Sequence, residues 1–129
     1  MGTNSFKCIV PILPVRNVEA SVIFFREKLG FSVDFLFGEP PFYGSVSRDQ
    51  VCLHLRHDPA PLLLGLATGE TSSIRATIEV STVYELFKDF DKRGVTFTQP
   101  LAKQPWGGTD FVIRDLDGNG ISFVTYDLL

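Results

Sequence analysis

The sequence carries one pattern of secondary-structure signals twice, and this repeat limits the possible folds more than any other feature. Three pairs of residues hold equivalent places in the two copies, at offsets of 65, 64 and 68 residues: Val15 and Val80, Gly30 and Gly94, and Asp49 and Asp117. The nearly constant offset and the shared order of elements indicate two copies of a βαβββ unit. One copy alone would leave a face of a four-stranded sheet uncovered, so we expect the two copies to cooperate, within one chain or between chains.

The first copy begins with an apolar stretch and continues through a helix into three more strands. Strands are predicted over residues 6–15, 31–37, 42–47 and 51–56. Pro11 and Pro14 remove two ladder donors from the first strand, which places it at a sheet edge or on a bulge. Asn17 is a good N-cap for a helix over residues 18–29, and Gly30 is placed to end that helix.

The second copy repeats these signals with a clearer turn. Strands are predicted over residues 74–80 and 95–98, then a loop over 99–108, and then a hairpin containing residues 111–113 and 121–124. Thr82 and Glu85 are spaced as a capping box, and Gly94 is placed to end the helix that follows. The polar run from Asp115 to Asn119 predicts the tight turn of the hairpin.

These signals predict one domain spanning residues 1–129, an ordinary length for a single domain. The first module covers about 6–57, a linker about 58–73 and the second module about 74–127. The linker is rich in Pro, Gly, Ser and Thr, yet residues 62–66 are strongly apolar. We expect this apolar segment to cover a sheet edge or a subunit contact.

Composition limits the partners and the compartment. The chain has 12 basic and 15 acidic residues, which disfavours nucleic acid or an anionic membrane as a partner. No apolar run approaches the roughly 20 residues of a membrane span, and the first residues lack the pattern of a signal peptide. Cys8 and Cys52 are too few for a disulfide framework. We therefore expect a soluble cytoplasmic protein with free thiols.

Four motifs resemble those of a single protein superfamily. They are Pro11-Ile12-Leu13-Pro14-Val15-Arg16-Asn17, Phe24-Phe25-Arg26-Glu27-Lys28-Leu29-Gly30-Phe31, Trp106-Gly107-Gly108-Thr109 and Arg114-Asp115-Leu116-Asp117-Gly118-Asn119. They resemble the glyoxalase/bleomycin-resistance/dioxygenase superfamily, also called vicinal oxygen chelate. The resemblance implies an α+β fold of two βαβββ modules whose curved mixed sheets surround a cavity. The first and third motifs look most like bleomycin-resistance proteins, which implies a homodimer with a small-molecule ligand in a groove between its subunits.

Enzymes of this superfamily hold a divalent metal through His, Gln or Glu on the first and last strands of their modules. Ser122 stands where such enzymes carry a Glu, and its neutral hydroxyl is a poor metal ligand. Val10 and Arg75 take the first-strand positions, and the Arg75 cation would repel a metal. The fourth position falls near His54 or Cys52. Since at most one of these positions can ligate, we expect no metal and no cofactor.

Three further patterns have a structural interpretation beside a chemical one. The hairpin turn imitates the start of an EF-hand calcium loop, but strands flank it and Tyr126 replaces the twelfth-position Glu, so we interpret it as a turn. His54 is expected to be a hydrogen-bonded residue of the cavity wall, the alternative being ligand contact or acid–base work. Cys52 is expected to be a small buried side chain rather than a nucleophile.

Aromatic side chains are the main candidates for binding a ligand without a metal. Stacking on a flat heteroaromatic ring contributes roughly 0.5–1.5 kcal/mol per contact beyond the buried area. Trp106 is the strongest candidate, since it lies on a predicted loop beside two glycines that would allow the backbone to approach a ligand. The predicted ligand-binding residues are Phe35, Phe37, Phe42, Tyr43, His54, Arg75, Trp106, Gly107, Gly108, Asp110 and Ser122.

Other aromatic and acidic residues receive different roles. The acidic residues that could attract a cationic ligand are Asp34, Glu39, Glu79 and Asp110. The phenylalanines expected to fill the core beneath the helices are Phe24, Phe25, Phe31, Phe87 and Phe90. Core packing is the competing interpretation for the remaining phenylalanines as well.

Three functions are compatible with the sequence. The first is a metal-free, non-catalytic antibiotic-binding protein of the bleomycin-resistance type that sequesters a planar or cationic ligand. The second is a metal-dependent glyoxalase or dioxygenase-type lyase or oxygenase with an atypical site that uses His54. The third is an interaction module that contacts its partner through residues 62–66. The first agrees best with Ser122 and Arg75 at positions where a metal enzyme has ligands.

Overall fold

The computed structural model describes residues 2–61 and 73–127, and these form two four-stranded sheets with one helix each. Sheet A contains β1 (Ile12–Val15), β2 (Ser32–Phe37), β3 (Tyr43–Arg48) and β4 (Val51–His57) in the order β1-β4-β3-β2, with α1 (Val18–Leu29). Sheet B contains β5 (Ser73–Glu79), β6 (Phe97–Gln104), β7 (Gly108–Arg114) and β8 (Asn119–Tyr126) in the order β5-β8-β7-β6, with α2 (Val83–Lys92). The first strand of each module pairs in parallel with the last, and the other pairs are antiparallel. The predicted fold of two βαβββ modules with mixed sheets is confirmed.

Neither helix has the length and apolar character needed to cross a membrane, within the two described ranges. The apolar segment predicted to cover a sheet edge or a subunit contact, residues 62–66, lies outside the described residues.

The ends of α1 follow the chemistry that its sequence predicts. The Asn17 side chain accepts a hydrogen bond from the Ala20 amide at 2.9 Å, which satisfies a donor of the first turn. Gly30 takes a left-handed conformation with φ of 74° just after the helix, and Gly94 does the same with φ of 76° after α2. The buried face of α1 consists of Val18, Ser21, Val22, Phe25 and Leu29. These boundaries are the ones expected from the sequence.

The start of α2 does not follow the chemistry that its sequence predicts. The predicted capping box is wrong, because the Thr82 side chain makes no capping hydrogen bond. The Thr125 hydroxyl on β8 accepts from the Val83 amide at 3.0 Å and donates to the Val80 carbonyl at 2.7 Å. A hydroxyl from a neighbouring strand thus satisfies one of the first-turn amides that have no partner within the helix.

Two predicted strand boundaries also differ from the structure. The predicted strand over 6–15 is regular only from Ile12, and Phe6 in the preceding segment is fully exposed at 101%. Pro11 contributes one carbonyl to the His54 amide at 2.9 Å but has no N–H to extend the ladder. β1 lies at the sheet edge, as its prolines predict.

The second difference concerns the predicted loop over residues 99–108. Most of it forms β6, which pairs with β7 through a register that shifts between Phe97 and Gln99 and again between Gln99 and Ala102. These irregularities remove the two-residue alternation by which strands are recognised in a sequence.

The core lies between each sheet and its helix. Phe25, Phe31 and Phe90 are buried, and Phe24 and Phe87 pack against the core while partly exposed, as predicted. The aromatic part of the second module consists of Phe87, Phe90, Phe97, Phe111 and Phe123, with neighbouring ring centroids 4.6–5.9 Å apart. Aromatic contacts of this kind each contribute roughly 0.5–1.5 kcal/mol beyond area burial.

The two modules meet at a turn and at helix ends. The amide and the Nε of Arg16 donate to Asp117 Oδ1 at 3.0 and 3.1 Å, and Asn119 Nδ2 donates to the Pro14 carbonyl at 2.9 Å. Arg93 donates to the Glu27 carbonyl at 3.0 Å across the ends of the helices. The hairpin turn of the second module is therefore also its attachment to the first.

Candidate functional site

Each sheet has a side that faces away from its own helix, and we call it the helix-free face. On β4, Leu53 and Leu55 are buried in the core beneath α1, so the alternating side chains Cys52, His54 and Arg56 project to the helix-free face. Cys52 and His54 thus share a face, and the Ser45 hydroxyl, opposite His54, lies 3.3 Å from Cys52 Sγ.

Three side chains on this face of sheet A form what we call the aromatic cluster: Phe35, Tyr43 and His54. The Phe35 and Tyr43 rings are parallel within 8° with centroids 6.5 Å apart, and the His54 ring stands edge-on to both. The Tyr43 hydroxyl lies 2.8 Å from His54 Nδ1. His54 is thus a hydrogen-bonded histidine, as expected. In the tautomer in which Tyr43 donates, Nε2 carries the proton and is a donor toward a ligand.

Two more predicted aromatic residues lie beside the aromatic cluster. Phe37 and Phe42 flank the turn between β2 and β3, with their rings edge-to-face at 5.5 Å. Phe37 is 64% exposed, and Phe35 and Phe42 are about half exposed. Large exposed aromatic side chains that neighbour one another mark a surface for binding.

Asp34 is one of the residues predicted to attract a cationic ligand, but its carboxylate is hydrogen-bonded within sheet A. Its two oxygens accept hydrogen bonds from the Ser45 hydroxyl at 2.9 Å and the Ser47 hydroxyl at 2.7 Å. The carboxylate joins β2 to β3 at the point where the register of the two strands shifts.

The second group of predicted residues lies on sheet B, around Trp106. The Trp106 ring is 56% exposed, and its centroid lies 5.9 Å from that of Tyr126 at the end of β8. A Cβ at Gly108 would lie 2.4 Å from Trp106 Cζ3, so this glycine leaves room for the indole ring. Gly107 has a φ of 100°, which favours glycine for its backbone alone. The space at Gly108 is therefore filled by Trp106 rather than left open to a ligand.

Asp110 lies on the same face of sheet B, two residues after Gly108 on β7. It is 8% exposed. Its Oδ1 accepts hydrogen bonds from Gln99 Nε2 at 2.7 Å and from Gln104 Nε2 at 2.9 Å. Both glutamines come from β6, in the stretch that the sequence predicts as a loop, and no local pattern singled them out.

The remaining predicted residues of sheet B are Ser122 and Arg75. They lie on its two parallel strands, β8 and β5. Ser122 is buried on β8 between Thr77 and Val112. Arg75 lies on β5 at a register shift, and its Nε donates to Asn119 Oδ1 at 3.2 Å. No sequence motif indicates Tyr126 as a site residue, although two-residue alternation along β8 places it on the same face as Ser122.

The four positions compared with metal ligands are distributed over both sheets. His54 lies on sheet A, Ser122 and Arg75 lie on sheet B, and Val10 precedes β1. In residues 2–61 and 73–127, no three His, Cys, Asp or Glu side chains are grouped so that they could hold a metal ion. Of the eleven predicted ligand-binding residues, five therefore lie on or beside sheet A and six on or beside sheet B.

The hairpin turn between β7 and β8 uses its carboxylate oxygens internally. Asp115 Oδ1 accepts from the amides of Asp117 and Asn119 at 2.9 and 2.8 Å, and Oδ2 accepts from Asn119 Nδ2 at 2.9 Å. Burial raises the pKa of the Asp115 carboxyl above its ordinary value of 3.8, although the hydrogen bonds from Asn119 and Asp117 oppose this. The interpretation of the run as the tight turn of a hairpin is confirmed.

A cavity of about 410 Å³ lies between the modules; its lining contains none of the eleven predicted ligand-binding residues but includes Glu79, one of the acidic residues predicted to attract a cationic ligand. The β3–β4 turn and the start of α2 form its rim, and its apolar floor includes Phe31, Ile78 and Phe90. Because the two modules contribute its walls together, no local sequence signal indicates this cavity.

Comparison with known proteins gives a consistent result for sequence and fold. The sequence profile of the Glyoxalase/Bleomycin resistance protein/Dioxygenase superfamily matches residues 7–123. A bleomycin resistance protein of Geobacillus stearothermophilus is 27% identical over 125 residues, covering 88% of this chain and 92% of that protein.

Solved structures share the fold. One of them is the structure of a bleomycin-binding protein from bleomycin-producing Streptomyces verticillus in complex with copper(II)-bleomycin. Its sequence is 26% identical to this chain, and the two structures superpose with a TM-score of 0.74. The match covers 94% of this chain and 97% of that chain. A glyoxalase-related enzyme from Clostridium phytofermentans has a TM-score of 0.76 at 19% identity, with 95% and 97% of the two chains covered. Binding proteins and enzyme-related proteins thus share this architecture, so the function has to be argued from the side chains.

Proposed function

The chain belongs to the glyoxalase/bleomycin resistance protein/dioxygenase superfamily, and on this basis we propose that it is a non-catalytic, metal-free cytoplasmic protein that sequesters an antibiotic of the bleomycin type. The observation that carries the proposal is the exposed Trp106 ring, held over Gly108 and beside Tyr126. A planar side chain held in this way is suited to stacking on a flat heteroaromatic group. The named relatives, a resistance protein and a protein solved with copper(II)-bleomycin, support the same ligand class.

The residues at the positions compared with metal ligands support binding over catalysis. Ser122 offers a neutral hydroxyl, and the permanent cation of Arg75 lies on the adjacent strand of sheet B. Such side chains do not suit a catalytic divalent cation, which takes imidazole, thiolate and carboxylate ligands. The protein's proposed action is capture of the ligand, which needs stacking surfaces and hydrogen-bond partners rather than an activated water.

We propose that the ligand lies between two protomers of a homodimer. The aromatic cluster of Phe35, Tyr43 and His54 and the Trp106–Tyr126 pair lie on different sheets of one chain. If sheet A of one protomer faces sheet B of its partner, the two groups become opposite walls of one groove. The exposed rings of Phe37 and Phe42 support this arrangement, because they would be covered by the partner or by the ligand.

Fluorescence of the one tryptophan tests the proposal directly. Stacking of a heteroaromatic group on Trp106 should quench its emission when metal-free or copper(II)-bleomycin is titrated, with saturation at micromolar ligand or below. Isothermal titration calorimetry should show Trp106→Ala binding at least tenfold more weakly. Tyr84→Ala is the matched control, since Tyr84 on α2 has a similar exposed fraction of 57% and lies outside both aromatic groups.

Two results would contradict the proposal. The first is the absence of quenching and of binding heat up to high micromolar bleomycin. The second is stoichiometric zinc, nickel, manganese or iron in protein purified without chelator, which would favour the enzyme hypothesis instead.

A further inference from the structure

We propose that Asp110 is the anionic receptor for a cationic group of the bound molecule, so that the site selects planar aromatic compounds that carry a positive charge. The inference rests on the proposed function for its location, and it adds the chemical group that sheet B recognises. Asp110 lies on the helix-free face of β7, and its side chain is 8% exposed.

The hydrogen bonding of Asp110 is one-sided. Oδ1 accepts from both Gln99 and Gln104, at 2.7 and 2.9 Å. Oδ2 receives no hydrogen bond from any residue in the described ranges, and it is not among the described side-chain atoms that are sealed from solvent without a partner. One oxygen is therefore held in place, and the other is left without a hydrogen-bond donor among the described residues.

The charge of Asp110 is also unbalanced. No ion pair joins its carboxylate to a Lys, Arg or His among residues 2–61 and 73–127. The two glutamine amides orient the carboxylate but bring no positive charge. A nearly buried carboxylate without a cation is unfavourable, and an ammonium, amidinium or guanidinium group of a ligand would remove this penalty through a charge-assisted hydrogen bond.

The aromatic ring and the carboxylate are close enough for one molecule to reach both. The Trp106 ring covers Gly108, and a Cβ at Gly108 would lie 3.2 Å from Val124 Cγ2. Val124 pairs with Asp110 across the β7–β8 ladder. Side chains two residues apart on a strand project from the same face about 7 Å apart. The indole ring over Gly108 and the Asp110 carboxylate therefore lie about 7 Å apart along the strand, a span that one small molecule can bridge.

Two small probes separate the role of charge from that of shape. Biphenyl-4-carboxamidine is a planar cation whose outer ring and amidine have about this spacing, and biphenyl-4-carboxamide is its neutral isostere. We expect the wild-type protein to bind the amidine at least tenfold more tightly than the amide, as measured by Trp106 fluorescence and calorimetry. Asp110→Asn should abolish this preference, since the asparagine carbonyl can still accept from both glutamines but carries no charge.

Asp91→Asn is the matched control, because it removes one negative charge from an exposed position on α2. It should keep the full preference for the amidine. If Asp110→Asn does not fold, the ¹³C carboxyl resonance of Asp110 in the wild-type protein gives the readout: it should shift on addition of the amidine and not of the amide.

Three outcomes would overturn the inference: equal affinity of the wild-type protein for both probes, a preference that survives Asp110→Asn, and no binding of either probe. The proposed function fails on a different result, the absence of bleomycin binding. A protein that binds bleomycin equally well with and without the Asp110 charge, and shows no preference for the amidine, would retain the proposed function and lose the receptor role of Asp110.

Discussion

At the scale of single residues, the position of the Trp106 ring depends on the absence of a Cβ at residue 108. Gly108 has no Cβ, and the indole ring occupies the space where one would lie. The neighbouring Gly107 is glycine for a different reason, its φ of 100°. The two adjacent glycines thus act differently: Gly108 leaves room for the indole ring, and Gly107 allows the backbone conformation next to it.

Gly108→Ala should displace the Trp106 ring, because the added Cβ would lie 2.4 Å from Cζ3. We expect a shifted emission maximum of the unliganded protein and about tenfold weaker bleomycin binding, equivalent to about 1.4 kcal/mol. Gly94→Ala is the control: it places alanine at a φ of 76°, far from the tryptophan in the sequence. That variant should lose about 1–2 kcal/mol of stability with unchanged emission, and an unchanged emission in Gly108→Ala would contradict the prediction.

Asp115 is expected to stabilise the fold, because its carboxylate accepts hydrogen bonds within the hairpin turn. Three hydrogen bonds converge on its carboxylate within the turn that also attaches the second module to the first. Asp115→Ala should therefore lower the free energy of unfolding by about 2–4 kcal/mol, because buried amides lose their acceptors. Urea denaturation measures this loss, and a change below 1 kcal/mol would show that water replaces the carboxylate without cost.

The pH dependence of Asp115 has a defined sign. Burial raises the pKa of its carboxyl above 3.8, so the folded protein binds this proton more tightly than the unfolded chain does. Its contribution to stability is complete below pH 3.8 and is lost as the pH rises through the pKa of the folded state. As the pH rises from 3.8 through the pKa of the folded state, the stability of the wild type relative to Asp115→Asn should fall. A relative stability that rises with pH there would contradict the assignment.

At the scale of secondary-structure elements, α2 shows how tertiary contacts replace a local signal. Thr82 is well placed in the sequence to cap the helix, yet the Thr125 hydroxyl on β8 satisfies the Val83 amide. The hydroxyl also donates to the Val80 carbonyl, so one group joins the last strand to the segment that leads into the helix.

Thr125→Val should consequently destabilise the protein more than Thr82→Ala does. The first removes both hydrogen bonds while keeping the side-chain shape, at a cost of about 1–2 kcal/mol. The second removes a side chain without a capping bond and should cost less than about 0.5 kcal/mol. Chemical denaturation of the two variants checks the order, and the reverse order would restore the capping box predicted from the sequence.

The strands differ in how well the sequence predicts them. β2, β3, β4 and the β7–β8 hairpin agree with their apolar runs and turn residues, whereas β1 is regular only from Ile12. β6 was predicted as a loop beyond residue 98, because its register shifts twice and its polar residues face the site. Only the tertiary structure therefore reveals that Gln99 and Gln104 both donate to Asp110.

At the scale of the whole molecule, the proposed function places the two groups of aromatic residues in one groove between two protomers. The proposed groove joins sheet A of one chain to sheet B of its partner, so a closed dimer of this kind has two equivalent sites. This arrangement makes a prediction that a site within one chain does not.

Mixing two inactive variants should restore binding. Phe35→Ala/Tyr43→Ala damages sheet A, and Trp106→Ala damages sheet B. In a mixed dimer one groove then carries both defects and the other carries neither, so one of the two sites of each mixed dimer should bind bleomycin with wild-type affinity. Calorimetry after mixing and subunit exchange measures the stoichiometry. Recovery of no sites, in a mixture shown by mass spectrometry to contain mixed dimers, would place each site within one chain.

The sequence by itself determined the features that depend on neighbours along the chain. The repeat, the Asn17 cap and Gly30 end of α1, the core phenylalanines and the Asx turn at Asp115 all follow from local periodicity and from side chains bonding to nearby backbone. The tertiary structure alone decided which distant groups meet. Thr125 reaches Val83, two glutamines of β6 converge on Asp110, and the predicted site residues divide between two sheets. These contacts depend on strand register and on the packing of one module against the other, and neither quantity is encoded in any short stretch of sequence.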